Sequence, residues 1–378
     1  MCGICGFTWP DQDLVTRMTD AIQHRGPDQD GTYVSEGISL GHRRLSIIDL
    51  SELGRQPLAN EDGRVQVTFN GEIYNFAEIR KELEAKGHTF RSHTDTETIV
   101  HAYEEYGSDC VHRFQGMFAF AVWDSRDQTL FIARDRVGIK PLYYTEIDGK
   151  LAFASEIKSL LEWNGLDRNL NRQALYHYLG HEFVPAPMTM FDGVKKLPPG
   201  HTLTWKHNRS HIEQWWDLEF NDPPDITNAD QAVELVRERL EEAVQARLVS
   251  DVPLGAFLSG GLDSSAIVAM MRKHITGKLP TFTIGYEDKS FSELDYAQRV
   301  SEQFETESHV IMVNEMTPEL IEKSIHHLDE PMTDLSSIPL MLLCQKAKQD
   351  VSVVLSGEGG DEVFAGYDRF KASKLNHS

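Results

Sequence analysis

The sequence predicts a two-domain α/β protein, and three observations predict it. The chain has 378 residues, too many for one ordinary hydrophobic core. Its first half reads as short alternating strands separated by turn residues, with two helices among them. From about residue 229 the pattern turns to repeated strand–helix units, which imply a parallel sheet covered by helices.

In the first half, "VQVTFNGEIYN" and "TLFIARD" have strand character. "NFAEIRKELEAKG" and "TDTETIVHAYEEYG" have helical spacing and end on glycine, a usual helix stop. This sheet-rich domain is expected over residues 2–205, followed by a polar, proline-bearing linker over 206–228. The second domain, 229–378, opens with the amphipathic stretch "ADQAVELVRERLEEAVQARLVS". "LGAFL", "PTFTIGY", "HVIMV" and "VSVVL" then read as strands, each but the last followed by a helix.

Composition narrows the function. A formal charge of −22 (37 Lys and Arg against 59 Asp and Glu) argues against a nucleic-acid or anionic-membrane partner, because such binding needs a basic face. Four cysteines are too few for a disulfide framework at this length. No apolar run approaches the ~18 to 20 residues that span a bilayer, and the start lacks the basic-then-apolar pattern of a signal peptide. A cytoplasmic protein is expected.

The chain opens "MCGICGF". Removal of Met1 would put a thiol and an α-amine on one residue, and an α-amine with a pKa of ~7.7 to 8.0 is a base near neutrality. Cys2 would then be a self-contained nucleophile and base. A small buried thiol, or half of a C-x-x-C metal site, is the plainer alternative. Further on, "HRGPDQDG" is a charged turn, "GHRRLSIIDL" carries Arg44, "FNGEIYN" carries Asn70-Gly71 and "HTDTE" carries Asp95. Each has a plain reading too: Asn-Gly is a strong hairpin signal, Asp95 could cap its helix, and Arg44 could be a surface charge.

In the order MCGI, HRGPD, HRRLSIID, NGEIYN, TDTE, these segments resemble the class II (N-terminal cysteine) glutamine amidotransferase domain. The resemblance implies an αββα sandwich of the N-terminal-nucleophile type that hydrolyses glutamine through a thioester on Cys2. It implies that Arg44 holds the glutamine α-carboxylate, Asp95 and Glu72 its α-ammonium, and that Ile47 lines the same pocket. The Asn70 amide and the Gly71 N–H would form the oxyanion hole. Cys5 has no matching role and is expected to be structural.

The second half contains "LGAFLSGGLDSSAIVAMM", an apolar strand, a glycine turn and a helix whose N-terminus can hold an anion. The lysine of a Walker A loop and the Rossmann glycine pattern are absent. A second glycine turn, "SGEGGDEVFAGY", follows "VSVVL", and two such turns at strand carboxyl ends can flank one crevice. Asp263 and Asp361 are a natural pair for Mg²⁺, although Asp361 and Glu362 could equally be a solvated helix-capping pair.

S-G-G-x-D-S looks like the pyrophosphate loop of ATP pyrophosphatases, and the two turns together resemble the doubly wound parallel-sheet synthetase domain of glutamine-hydrolysing asparagine synthetase. That resemblance implies ATP contacts at Leu258 and Ile284, a pyrophosphate loop of Ser259, Gly260, Gly261, Asp263, Ser264 and Ser265, and nucleotide contacts at Ser356 and Gly357. Glu358 would lie at the aspartate or its adenylate. The implied reaction turns aspartate, glutamine and ATP into asparagine, glutamate, AMP and pyrophosphate, with Mg²⁺ as cofactor and a homodimer as a family expectation. Against the family pattern, the synthetase half stops early at "YDRFKASKLNHS" and is expected to be incomplete there. "DEPMTDLSSIP" also lacks the threonine and arginine of one synthetase branch. Glutaminase activity alone, another carboxylate acceptor, and a non-catalytic scaffold are therefore the competing expectations.

Overall fold

The computed structural model of the chain describes residues 1–219, 226, 228–286, 293–313, 316–334 and 336–376. It divides into two compact units, Met1–Asp222 with Ile325–Asp334, and Pro223–Ser324 with Leu335–Ser378.

The first unit holds twelve strands among the described residues: β1 (Gly3–Phe7), β2 (Gln29–Ser35), β3 (Ile38–Arg44), β4 (Leu58–Ala59), β5 (Val65–Ile73), β6 (Gly116–Asp124), β7 (Thr129–Arg134), β8 (Tyr143–Ile147), β9 (Lys150–Ala154), β10 (Val194–Lys196), β11 (His201–Lys206) and β12 (Arg209–Gln214). They form two six-stranded antiparallel sheets, ordered β10-β8-β9-β1-β3-β2 and β12-β11-β7-β6-β5-β4. The helices that matter to the site are α1 (Gln12–Ala21), α2 (Phe76–Ala85) and α3 (Asp95–Tyr106).

Strand β6 shows how sequence becomes layers. Its "GMFAFAVWD" is apolar almost throughout, because both of its faces are covered. Ala119, Ala121 and Trp123 pack with Ile4, Leu40 and Phe153 of the opposite sheet. Phe118, Phe120 and Val122, the alternate residues, pack outward against Ile79 and Leu83 of α2 and Ile99 and Ala102 of α3. On the far side, Leu14, Val15 and Met18 of α1 cover Cys5, Phe7, Ala152 and Ala154. The order helix, sheet, sheet, helix is the αββα sandwich that the resemblance implied.

Two expectations change. Asn70-Gly71 is no hairpin turn: β5 runs through it, pairing Asn70 with Ala119 and Gly71 with Phe118. A Cβ at Gly71 would overlap the Met117 carbonyl oxygen, so glycine is needed there for close strand approach rather than for a turn. The stretch 206–228, expected as a linker, begins as strand: Arg209–Gln214 pairs with His201–Lys206 at the sheet edge. Its polar residues alternate onto a solvated edge, which is why it reads as linker. Residues 220–225 and 227 of that stretch lie outside the described residues.

In the second unit, β13 (Leu254–Phe257), β14 (Pro280–Gly285), β15 (Glu307–Met312) and β16 (Val353–Leu355) form a parallel sheet ordered β15-β14-β13-β16. Val244, Val268, Met271 and Ala297 cover one face with Ala256, Leu258 and Leu355; Leu343 and Ala347 cover the other with Phe282. Helices on both faces make the sheet doubly wound, as expected. The chain order reverses between β13 and β16, and ligands of such sheets bind at that switch point, outside the strand carboxyl ends. Both glycine turns leave the sheet there.

Phe120, wholly buried among Phe114, Phe118 and Phe131, ties the two-helix layer to the second sheet. Phe120→Ala is expected to destabilise the first unit by ~3 to 5 kcal/mol, read as a lower denaturant midpoint for the near-UV signal. A midpoint within error of the parent's would contradict this packing.

Candidate active site

Cys2 precedes β1, and β1 lies between β3 and β9 in the interior of its sheet. The thiol meets the backbone of Leu45, whose N–H donates to Sγ at 3.4 Å while the carbonyl oxygen lies 3.7 Å from Sγ. Arg25 Nε donates to the Cys2 carbonyl oxygen at 2.8 Å, and its Nη1 donates to Glu156 Oε1 at 2.8 Å. Burial pushes the Cys2 thiol above its ordinary value, opposed by the chain-terminal ammonium, the Leu45 N–H and the Arg44 guanidinium.

Arg44, the last residue of β3, is almost wholly buried. Its Nη1 donates to Gln29 Oε1 and the Ser51 carbonyl oxygen, and its Nη2 to the carbonyl oxygens of Ile48 and Asp49. Four acceptors thus face the four Nη hydrogens. Both Nη groups are engaged by Gln29 and by the loop after β3, and Nε–H is the donor left to a ligand. Asp49 ties the loop down: its carboxylate accepts from the Ser51 N–H and hydroxyl and from the His93 N–H. Ile47 is half-buried within the same loop.

Asp95 is the first residue of α3, and the cap belongs instead to Thr94, whose hydroxyl accepts from the Glu97 N–H. Asp95 accepts from the Ile73 N–H at 2.9 Å. Burial raises its carboxyl to about 6, against the lowering pull of that N–H and of Arg44. Glu72 is half-buried on the same strand end as Ile73. Asn70 is buried, and neither its amide nitrogen nor its oxygen has a hydrogen-bond partner. A buried unpaired amide in a central strand is costly unless something else is to bind it.

Three neighbours carried no role in the sequence reading. Arg25 stands in the quoted "HRGPD", and Glu156 and Lys140 stood in no motif. Glu156 accepts from Arg25 and Lys158 and pairs with His24; despite burial these cations bring its carboxyl down to about 2. Lys140 is buried, its ammonium lowered by burial and by Arg25 while Cys2 and Glu72 pull it up. For Glu156 and Lys140 the signal in the sequence is a charged residue inside an apolar context. Within this same unit, Asp329 pairs with Lys158 at 3.1 Å and Glu330 with Lys196 at 2.6 Å. Leu335 of the "DEPMTDLSSIP" segment lies outside the described residues. Cys5 is buried under α1 and pushed up to about 12 by burial, a packing thiol as expected.

In the second unit, a cavity of about 660 Å³ is lined by Leu258, Ser259, Gly261, Asp263, Ser264, Ile284, Ser356, Gly357, Glu358 and Asp361. The lining does not include Gly260 or Ser265. Gly260, at φ +86°, packs its backbone on Tyr296 and Ala297, and the Ser265 hydroxyl is buried without a partner. The helix after the first turn, α4, runs over Leu262–His274. Its N-cap is Gly261, which has no side chain to occupy the first N–H groups. The two turns touch: a Cβ at Gly360 would overlap the Asp263 carboxylate, and one at Gly357 would crowd Ser264 N at 2.8 Å. Ser259 Oγ and Ser264 Oγ lie 3.0 Å apart and stitch the first turn. Both backbone groups of Leu258 are used, its N–H by Phe282 and its carbonyl by the Thr283 hydroxyl, so only a second carbonyl lone pair is left for a ligand. Among the described residues no lysine or arginine forms an ion pair with Asp263, Glu358 or Asp361. Hard oxygen ligands without a cation suit Mg²⁺.

The sequence matches two family models, "Glutamine amidotransferase domain" over residues 1–216 and "Asparagine synthase" over 235–378. It is 42% identical over 381 residues to the asparagine synthetase [glutamine-hydrolyzing] 1 of Bacillus subtilis, covering 98% of this chain and 60% of that protein. It is 37% identical over 393 residues to a putative asparagine synthetase [glutamine-hydrolyzing] 2 of Methanocaldococcus jannaschii, covering 97% and 76%. It is also 37% identical over 418 residues to the amidase chry2 of Gibberella zeae, covering 100% and 61%. The chain thus spans about 60% of the length of the Bacillus relative.

Cys2 titration tests the site's electrostatics. In the chain that retains Met1, the pH midpoint for iodoacetamide labelling of Cys2 is expected above the ordinary thiol value, and Cys5 and Cys110, both buried, should label only on unfolding. A midpoint at or below that of a free thiol would contradict the burial of Sγ.

Proposed function

Since the chain belongs to the glutamine-hydrolysing asparagine synthetase family, we propose that its first unit releases ammonia from glutamine and its second uses ATP to make an amide from aspartate. The observation that carries this reading is that the two facing sheets present a thiol and an unpartnered buried amide, Cys2 just ahead of β1 in one sheet and Asn70 within β5 of the other.

In this reading Met1 is removed, and the α-amine of Cys2 takes the thiol proton. The thiolate attacks the glutamine Cδ; the oxyanion is met by Asn70 Nδ2 and the Gly71 N–H. The C–N bond breaks as the α-ammonium returns its proton to the leaving nitrogen, giving ammonia and a thioester on Cys2. Water then cleaves the thioester to glutamate. Arg44 supplies Nε–H and charge to the α-carboxylate, and Asp95 with Glu72 receives the α-ammonium. Arg25, braced by Glu156, fixes the Cys2 carbonyl and so the approach of Sγ.

In the second unit the aspartate side-chain carboxylate attacks the ATP α-phosphorus, pyrophosphate leaves, and ammonia displaces AMP from the acyl-adenylate to give asparagine. Ser259, Gly261, Asp263 and Ser264 are the residues for the pyrophosphate, with Gly260 shaping the turn behind them and Ser265 set one residue deeper in the helix. Ile284 and Leu258 would meet the nucleoside, Ser356 and Gly357 the nucleotide, and Glu358 the adenylate. Asp263 and Asp361 would hold Mg²⁺, which supplies charge neutralisation for the phosphates. No helix of the described residues is long and apolar enough to cross a membrane; we place the protein in the cytoplasm.

Two measurements test the reading. With ATP, Mg²⁺ and aspartate, Cys2→Ala is expected to lose AMP formation with glutamine by ~10³-fold or more while keeping it with an ammonium salt. Aspartate-independent hydrolysis of glutamine, with no AMP from either nitrogen source, would confine the activity to the first unit. Asp95 sets the second test: it is ionised only above its raised value of about 6, so kcat/KM for glutamine should fall as pH drops through 6. A profile flat from pH 7 to 5 would remove Asp95 from the ammonium site.

A further inference from the structure

Apart from the residues around Cys2, the first unit gathers two imidazoles and two carboxylates. Glu61 stands in the turn between β4 and β5, His88 follows α2, and His101 and Glu104 stand three residues apart on one face of α3. One ligand atom from each of the four lies within 4.8 Å of the others. His101 Nδ1 is 3.2 Å from Glu104 Oε2 and 3.4 Å from Glu61 Oε2; His88 Nδ1 is 3.6 Å from Glu61 Oε1 and 3.9 Å from Glu104 Oε2. A tetrahedron with metal–ligand bonds of ~2.0 to 2.1 Å has edges of roughly 3.3 Å. These separations therefore need only small closures.

The second and independent observation is the outward side of each ring. His101 is 1% exposed, and its Nε2, which has no hydrogen-bond partner, faces Glu97 Oε1 at 3.7 Å. His88 Nε2 likewise faces Glu105 Oε2 at 3.7 Å. Both rings thus turn Nδ1 inward and Nε2 toward a carboxylate, the outer arrangement that orients a metal-bound histidine and fixes its tautomer. The inner carboxylates are also anchored: Glu61 Oε1, the oxygen that faces His88, accepts from the Thr89 N–H, and Glu104 Oε1, the outer oxygen, accepts from Asn60 Nδ2. Arg126 reaches only the latter oxygen, at 4.0 Å. Two carboxylates, two neutral imidazoles and a dication sum to zero charge.

We propose that Glu61, His88, His101 and Glu104 form a closed site for a zinc-class divalent ion, which clips the β4–β5 turn and the end of α2 to α3. Mixed imidazole and carboxylate donors in a tetrahedral set suit Zn²⁺ better than Mg²⁺ or Ca²⁺. Four protein ligands make the site structural rather than catalytic. The metal-free alternative is a proton: burial lowers His101, but Glu104, Glu97 and Glu61 raise the imidazolium to about 9.

The test uses the untagged full chain carrying Cys2→Ser, in excess Mg²⁺, with Zn²⁺ competed from a chromophoric chelator. One tightly held Zn²⁺ per chain is expected, weakened about 100-fold or more by His88→Ala and by Glu104→Gln. His177 with His181, and His24 with His326 and His327, are the built-in competitors; retention of the Zn²⁺ after His88→Ala would place it at one of these and overturn the proposal. Absence of Zn²⁺ binding would do the same and leave the protonated cluster. If His88→Ala does not fold, Co²⁺ in the Cys2→Ser chain decides: strong visible bands of a tetrahedral ion support the site, and the weak bands of a six-coordinate ion reject it.

Discussion

In the proposed reading the first unit works under one constraint: the residue that carries the thiol has to be held as rigidly as a core residue although it stands next to the start of the chain. Terminal residues fray unless they are tied down. Here the second residue is followed at once by a strand that enters its sheet between two partners, with Ile4 and Phe7 wholly buried on opposite faces. Ile4 belongs to the layer between the sheets and Phe7 to the layer under α1. Every layer of the sandwich therefore contributes to where Cys2 stands. The Arg25 contact then removes the remaining freedom of its carbonyl, and Glu156 removes that of Arg25. A buried arginine–carboxylate pair adds little net stability, since both ions lose their hydration, but it is costly to break, because either group alone would be a stranded charge.

The second unit meets a similar demand with backbone alone. Its two turns approach so closely that side chains at Gly357 and Gly360 would displace Ser264 and Asp263. Close approach brings the N–H groups at the start of α4 and the acidic residues of the second turn to one cavity wall. Attraction for phosphate and attraction for a cation are opposite requirements, and neighbouring turns from different strands let one crevice meet both.

The parts legible in the sequence are those where a local pattern has one physical solution. The alternation of β6 and the helical period of α2 and α3 gave the layers, and the glycine turns after β13 and β16 gave the crevice. What misled was the same local reading applied where tertiary contacts decide. Asn70-Gly71 has the composition of a hairpin but lies in a long central strand, since the approach of Met117 and not a turn requires the glycine. Asp95 has the look of a cap, yet Thr94 does the capping and leaves the carboxylate turned inward. Arg44 was legible as a site residue but not its geometry, because its acceptors are carbonyls that no sequence pattern advertises. Glu156 and Lys140 were illegible for a simpler reason. A single charge in an apolar segment is informative only once its partner, more than a hundred residues away, is known to be adjacent.

The raised thiol of Cys2 fits the proposed maturation. With Met1 in place the terminal ammonium belongs to the preceding residue, and burial outweighs its help. Coulomb attraction grows as distance falls, and it grows further where water is excluded. Moving the ammonium onto the Cys2 α-carbon shortens the separation from Sγ without adding any side chain. Loss of Met1 would therefore lower the thiol and supply its base in a single event, so that nucleophile and base come into being together. Arg44 adds favourable charge nearby, but it is no proton acceptor at neutral pH. Among the groups around Sγ, the amine freed in this way is the one whose ordinary titration range brackets the pH at which glutamine hydrolysis must run.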